Sequence, residues 1–152
     1  MATNDAKWFE YTLFDAWCCP IAGVTILNAD KNTVVYWTPD DNVTRFERMK
    51  NKMHSLSVSD ASMNKIRSIL RDDKLYTIKN LEDTMVIDGY IHEFYFSDGQ
   101  RKAKLIGYNI DYSRKEYVKH PNAAFVIDIL EQIAGTLVTE GVDRRCFMLK
   151  VE

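Results

Sequence analysis

The sequence feature that most constrains the fold is a pair of alternating runs in residues 90–110 that flank an Asp98-Gly99 dipeptide. Asp-Gly between two β-type runs is the strongest short-range signal of a hairpin, because both residues tolerate the positive φ of tight turns. If Asp98 and Gly99 form the loop, Glu93 faces Lys104, and such a cross-strand ion pair contributes about 0.2–1 kcal/mol. One face then carries Tyr90, His92, Phe94, Phe96, Ala103 and Leu105. We therefore predict a hairpin with one apolar face and one charged face.

Runs of β-branched and aromatic residues elsewhere in the chain predict further strands. Residues 24–27 and 33–37 are separated by a cluster of turn formers, so we expect a second hairpin there. Residues 8–17 fit a helix as well as a strand, and their aromatic density and Thr12 favour the strand. Three more short strands are predicted at residues 75–78, 85–87 and 146–151.

Helical spacing of apolar residues predicts two short helices in the centre of the chain. The first follows a stretch of turn and N-cap residues, and its apolar positions are Phe46, Met49 and Met53. The second begins with Ser57 and Asp60, which resemble a capping box, and ends near residues 72–73. Its apolar stripe consists of Met63, Ile66, Ile69 and Leu70.

A long C-terminal helix is predicted over residues 122–138, where apolar residues cover one broad face. Pro121 suits the start of this helix and Gly141 suits the position past its end. The order of strands and helices favours an antiparallel or mixed sheet over a βαβ winding. The expected fold is a single α+β domain over residues 1–152, with about five to seven strands packed by about three helices.

Composition is that of an ordinary folded domain and favours a soluble, cytoplasmic protein. Hydrophobic residues make up 46% and charged residues 28%, which excludes the low-hydrophobicity signature of disorder. The chain does not start like a secretory signal, and no apolar run approaches the ~20 residues of a membrane span. Cys18 and Cys19 are adjacent in a set of three cysteines, a poor disulfide framework, so we expect reduced and buried thiols.

The strongest candidate for chemistry is His92, with Asp88 as a carboxylate that orients it. On a strand, Glu93 points to the face opposite His92, whereas Asp88 shares the face of His92 if the strand continues through Gly89. A histidine at the edge of the core is the simpler interpretation, and both alternatives stay open. Motifs for zinc, calcium, phosphate loops, dinucleotides and acyl-transfer serines are absent from the sequence, so we expect neither a metal nor a cofactor.

Candidate binding residues come mainly from the locally basic stretch 45–74, which carries 8 basic and 4 acidic side chains. Helical spacing groups them into two ridges, one of Arg45, Arg48 and Lys52 and one of Arg67 and Arg71. The pI of the whole chain, about 5.9, argues against a dedicated nucleic-acid binder, so a solvated helix surface is the simpler interpretation. Trp17 is a further candidate, because an exposed tryptophan is a strong interface signal.

Three functional hypotheses follow. The leading one is a non-catalytic protein-binding module, such as a small inhibitor or immunity-type protein that masks another protein, because catalytic motifs are absent and 12% of the residues are aromatic. The alternative is a small enzyme or ligand-binding domain with His92 in a pocket against the 90–110 hairpin, whose partner is a small molecule. The third is anion or nucleic-acid binding through residues 45–74. No hypothesis involves a membrane.

Overall fold

The computed structural model describes residues 7–14, 20–27, 32–38, 53–79, 81, 91–108 and 121–147. Three candidate site residues lie within these ranges, namely His92, Arg67 and Arg71. The others lie outside the described residues, and they are Trp17, Arg45, Arg48, Lys52 and Asp88, together with Cys18 and Cys19.

The described elements are six strands and two α-helices. The strands are β1 (Lys7–Phe14), β2 (Pro20–Leu27), β3 (Thr33–Trp37), β4 (Met53–Ser57), β5 (Ile91–Ser97) and β6 (Lys102–Tyr108). The helices are α1 (Asp60–Leu70) and α2 (Pro121–Thr139), and two 3-10 turns lie at Asp73–Tyr76 and Arg144–Phe147. All neighbouring strands are antiparallel, in the order β4-β3-β2-β1-β5-β6. The predicted α+β class and strand number are therefore confirmed.

The number of helices is the part of the predicted fold that is not confirmed. The first predicted helix falls mostly outside the described residues, and its last predicted position, Met53, is instead the first residue of β4. Met53 lies opposite Trp37 in the sheet, and Leu56 lies opposite Val34 and packs against the core. Pairing with β3 therefore outweighs the helical spacing that Met53 shares with the residues before it, which is a weak local preference.

The hairpin around Asp98 and Gly99 forms as predicted, with its register shifted by two residues. The loop has four residues rather than two, so Phe94 lies opposite Leu105, and Tyr95 lies opposite Lys104. Because side chains alternate with a period of two, this shift leaves each described residue of the hairpin on its predicted face, while Tyr90 lies outside the described residues. The predicted ion pair also forms, diagonally, with 3.3 Å between Lys104 Nζ and Glu93 Oε1.

Asp98 explains why the loop is longer, since its carboxylate closes a turn around the backbone of Gln100 and Arg101. Its Oδ1 accepts hydrogen bonds from those two backbone N–H groups at 2.9 and 2.6 Å. Its Oδ2 accepts another from Arg101 Nε at 2.8 Å. Desolvation by burial opposes ionisation, but the hydrogen bonds outweigh it and lower the pKa of Asp98 to about 2.

We expect the stability that Asp98 provides to disappear in acid. Its folded pKa lies below its unfolded value, so the contribution is complete above about pH 4 and is lost as pH falls through about 2. The measurement is the difference in free energy of unfolding between wild type and Asp98→Asn, from urea melts at pH 7, 5, 3 and 2. A difference that stays constant across this range would contradict the assigned role of the carboxylate.

The remaining strands divide the sheet into a buried inner face and an outer face. β1 is a strand, as its aromatic density favours, and the predicted hairpin of residues 24–27 and 33–37 is the antiparallel pair β2–β3. Phe9, Tyr11 and Leu13 of β1 face inwards and are almost fully buried. They join one core with the apolar side of α2, which contributes Ala123, Val126, Ile129, Leu130, Ile133, Ala134 and Leu137.

Two predicted strands are wrong where the structure describes them. Residues 75–78 contain the end of a 3-10 turn, because the Asp72 carboxylate accepts from Lys74 N–H at 3.0 Å and the Tyr76 hydroxyl bonds to the Leu70 carbonyl. The predicted final strand begins with Cys146 and Phe147, and these two residues likewise belong to a 3-10 turn. Cys146 N–H donates a hydrogen bond to the Asp143 carbonyl at 3.1 Å, which closes this turn. The predicted strand at 85–87 and the rest of 146–151 lie outside the described residues.

The start of α1 also differs from its prediction. Ser57 remains in β4 opposite Thr33, and the N-cap is Ser59, whose hydroxyl accepts from Ser62 N–H at 3.2 Å. Glu140, just past the end of α2, accepts hydrogen bonds from the Ser59 hydroxyl and from the Ser59 backbone N–H, the latter at 2.8 Å. The serine hydroxyls and this N–H lower the pKa of Glu140, so its carboxylate is ionised at neutral pH.

The long helix is confirmed over the whole of its predicted range, with one more residue at each end. Past its end, Gly141 has φ +116 and Val142 N–H donates to the Leu137 carbonyl at 3.0 Å, which is a Schellman-type ending. In length and mean hydropathy α2 would also suit a membrane span, although half of that stretch is buried inside the protein. Burial of this kind is what a core helix shows.

Candidate interaction surface

The outer face of the sheet carries a row of side chains that crosses all six strands. The strand register aligns Met53, Trp37, Gly23, Thr12, Glu93 and Ile106, which we call the outer row. Its members alternate along each strand with residues that face the core, such as Tyr11 and Phe94. The row therefore lies on the side opposite the hydrophobic core.

The two ends of the outer row are apolar and open to solvent. Met53 is 65% exposed and Ile106 is 45% exposed, and they are the exposed large hydrophobic residues within the described ranges. Trp37 lies next to Met53 and is half-buried. Large apolar side chains are thus accessible at both edges of one face, with Met53 and Trp37 adjacent at the β4 edge and Ile106 at the β6 edge.

Trp37 is held against the sheet by the absence of a side chain at Gly23. A Cβ atom at position 23 would lie 2.6 Å from Trp37 Nε1 and 2.8 Å from Cε2, closer than such atoms can approach. The edge of the indole therefore occupies the space above the Gly23 backbone. The sequence does contain a signal for this contact, since an isolated glycine in a strand often marks a place where another group lies close to the strand backbone.

Charged residues on the same face are paired with one another. Lys7 Nζ lies 2.9 Å from Glu10 Oε1 and 4.6 Å from the centroid of the Tyr95 ring, and Thr25 donates to Glu10 Oε2 at 2.9 Å. The Lys104–Glu93 pair lies on the same side. These contacts leave the described part of the outer face nearly neutral between its apolar ends.

His92 lies on the inner face and is only 2% exposed. Its Nδ1 atom is hydrogen-bonded to Tyr11 Oη at 2.8 Å, and its ring is stacked with Phe94 at a centroid distance of 6.4 Å. These contacts are those of the core histidine that was the simpler interpretation. A catalytic pair of His92 with Asp88 stays a prediction, because Asp88 lies outside the described residues.

Arg67 and Arg71 lie four residues apart at the end of α1 and differ in their surroundings. The Arg67 guanidinium carbon lies 5.2 Å from the centroid of the Trp8 ring and is half-buried there. Arg71 is exposed at the end of α1, and its carbonyl accepts a hydrogen bond from Arg101 Nη2 at 3.5 Å. Arg71 is therefore the more exposed residue of this pair.

Cys146 is the cysteine that the structure describes, and it is buried beneath β3. Its Sγ donates to the Trp37 carbonyl at 3.5 Å, and burial raises the pKa of the thiol to about 12. A thiol protonated at neutral pH is not a nucleophile. Within the described ranges, moreover, no three His, Cys, Asp or Glu side chains are grouped so that they could hold a metal ion.

Comparison with known proteins gives no family for this chain. Searches against protein families and against curated proteins find no match.

Proposed function

We propose that this chain is a non-catalytic protein-binding module of the inhibitor or immunity type, which docks a partner protein on the outer face of its sheet. The observation that supports the proposal is the outer row, with Met53 and Ile106 exposed at its ends and Trp37 beside Met53. Aromatic residues and methionine are enriched in protein interfaces. The row crosses six strands, or about 24 Å at ~4.8 Å per strand, and a sheet face of that width suits a folded protein better than a small molecule.

The chemistry of this face also defines the kind of partner. Lys7 is paired with Glu10, and Lys104 with Glu93, so the described outer face offers little net charge. Recognition therefore depends on apolar contact and hydrogen bonds with a nearly neutral partner surface. Affinity should accordingly change little with ionic strength, unlike the affinity of a nucleic-acid binder.

The experiment compares two variants that add the same charge at different places. Met53→Lys/Ile106→Lys places two lysines at the ends of the outer row, and Asn64→Lys/Ser68→Lys places two on the exposed side of α1. The partner is captured from a source lysate with the intact chain, purified, and titrated against both variants by calorimetry. We expect about tenfold or greater loss of affinity for the first variant and less than about twofold for the second.

Three outcomes would count against the proposal. One is repeated failure to recover a stoichiometric partner. A second is an equal loss of affinity in the α1 variant. The third is an affinity that falls steeply between 50 and 500 mM salt, which would favour an anionic partner instead.

A further inference from the structure

β4 is an edge strand of the described sheet. It pairs with β3 on one side, and in the described part of the chain no strand pairs with its other side. Four of its five residues are exposed, namely Met53, His54, Ser55 and Ser57. An open strand edge presents a row of backbone N–H and carbonyl groups that can pair with another chain.

The two edges of the sheet differ in how they are protected. β6, at the other end of the sheet, carries Lys102 and Lys104, and charged side chains discourage edge-to-edge pairing. β4 contains no acidic or basic residue other than His54, and it contains no proline. Its pairing with β3 runs in regular register from Thr33–Ser57 to Trp37–Met53, without a bulge. Within the described residues, β4 therefore has none of the charges, prolines or bulges that commonly protect a strand edge.

We propose that β4 is a dimerisation edge, which pairs antiparallel with β4 of a second copy of this chain about a two-fold axis at Ser55. A second copy fits because the strand is complementary to itself in that register. Ser55 then faces Ser55 of the second copy, His54 faces Leu56, and Met53 faces Ser57. In this register no two acidic or basic groups face each other, and only the small serine side chains lie at the axis. The apolar residues Met53 and Leu56 each face a different residue type, Ser57 and His54 respectively. A two-fold contact of this kind is the commonest way in which identical chains associate.

The pairing continues the sheet from one copy into the other. Met53, Ser55 and Ser57 all lie on the outer face, so the outer faces of the two copies join at the β4 edges. A strand of five residues supplies few main-chain hydrogen bonds and a small contact area, so the dimer is weak and forms only at high concentration. Dissociation constants of tens to hundreds of micromolar are the expected order.

The test uses a charge placed at the axis and needs no binding partner. Sedimentation equilibrium of the intact chain from about 5 to 500 μM gives the dimer affinity of wild type, Ser55→Lys, Ser55→Asp and Ser57→Lys. Like charges directly opposite one another weaken a strand pair, so both Ser55 variants should dimerise about fivefold less tightly than wild type. Mixing Ser55→Lys with Ser55→Asp should restore association, giving a mixed dimer about tenfold tighter than either variant alone.

Ser57→Lys is the matched control. It adds the same charge to the same face of the same strand, but the introduced lysine faces Met53 of the other copy. The two introduced charges are then about 13 Å apart, beyond the Debye length of ~8 Å at physiological salt. Its dimer affinity should therefore remain within about twofold of wild type.

A wild type that is monomeric at every concentration overturns the proposal, and so does a dimer that Ser55→Lys leaves unchanged. Equal weakening by Ser55→Lys and Ser57→Lys, or failure of the mixture to associate, contradicts the two-fold axis at Ser55. Circular dichroism melts establish that the variants are folded at the temperature of the sedimentation experiment. Because the purified chain alone is measured, these outcomes are independent of whether a partner protein binds the outer face.

Discussion

His92→Ala lowers the free energy of unfolding by about 2–4 kcal/mol at neutral pH, as expected for truncation of a buried side chain that is also hydrogen-bonded. His92 is 2% exposed and its ring packs beside Tyr11 and Phe94, with centroid distances of 5.9 and 6.4 Å. Truncation leaves a cavity on the inner face and removes the Nδ1 partner of the Tyr11 hydroxyl. The measurement is a urea melt followed by circular dichroism.

His54→Ala is the matched control for this prediction. His54 is exposed and stacks on Tyr36 at 5.1 Å, so its truncation should cost less than about 0.5 kcal/mol. A His92→Ala variant as stable as the His54→Ala variant would contradict the core interpretation and revive the catalytic one.

A double-mutant cycle separates the hydrogen bond of His92 from its packing. The variants Tyr11→Phe and His92→Leu each remove one partner of the 2.8 Å hydrogen bond between Tyr11 Oη and His92 Nδ1. In each variant, the remaining polar group loses that hydrogen bond. The double variant replaces both partners with apolar groups, so it should cost less than the sum of the single variants, by about 1 kcal/mol or more. Strict additivity would show that the hydrogen bond contributes nothing to stability.

Gly23→Ala should destabilise the protein by about 1–3 kcal/mol, because the new methyl group overpacks the contact with the Trp37 ring. The ring must leave its position above the strand, since the added Cβ would lie 2.6 Å from Nε1. In a Trp37→Ala background the same change should have the opposite sign and stabilise by up to about 1 kcal/mol, because alanine is then an unhindered replacement for glycine. The measurement is the double-mutant cycle in free energy of unfolding.

Gly135→Ala, on the exposed side of α2, is the control for this cycle. A Cβ atom there meets nothing within 4 Å, so the change should stabilise the helix by about 0.5–1 kcal/mol. If Gly23→Ala behaves like Gly135→Ala in the wild-type background, the ring does not occupy the position described, and the apolar end of the outer row is not preorganised.

The parts of the fold that could be predicted are those set by local chemistry. Alternation on both sides of Asp98 determines which residues face inwards, and that assignment holds even though the loop closes two residues later than expected. Likewise, the apolar face and the Gly141 ending are enough to locate α2. In both cases the signal lies within a short segment and agrees with the tertiary environment.

The parts that could not be predicted depend on distant partners. β4 carries little strand preference of its own and exists because β3 offers a pairing edge. The 3-10 turns at Asp73–Tyr76 and Arg144–Phe147 occupy segments whose apolar residues also suit a strand, and aspartate hydrogen bonds decide between the two. The outer row could not be foreseen either, because the register of five strand pairs aligns its six residues.

The hydrogen bonds from Ser59 to Glu140 join two helix ends that are 81 residues apart in the chain. One carboxylate therefore completes the first turn of α1 while its own position depends on the end of α2. Fraying at the end of α2 removes an acceptor from the start of α1, so the two ends open together as one cooperative unit. Because the Ser59–Glu140 contact closes a loop of 81 residues, we expect it to form late in folding, after the sheet has brought the two segments together.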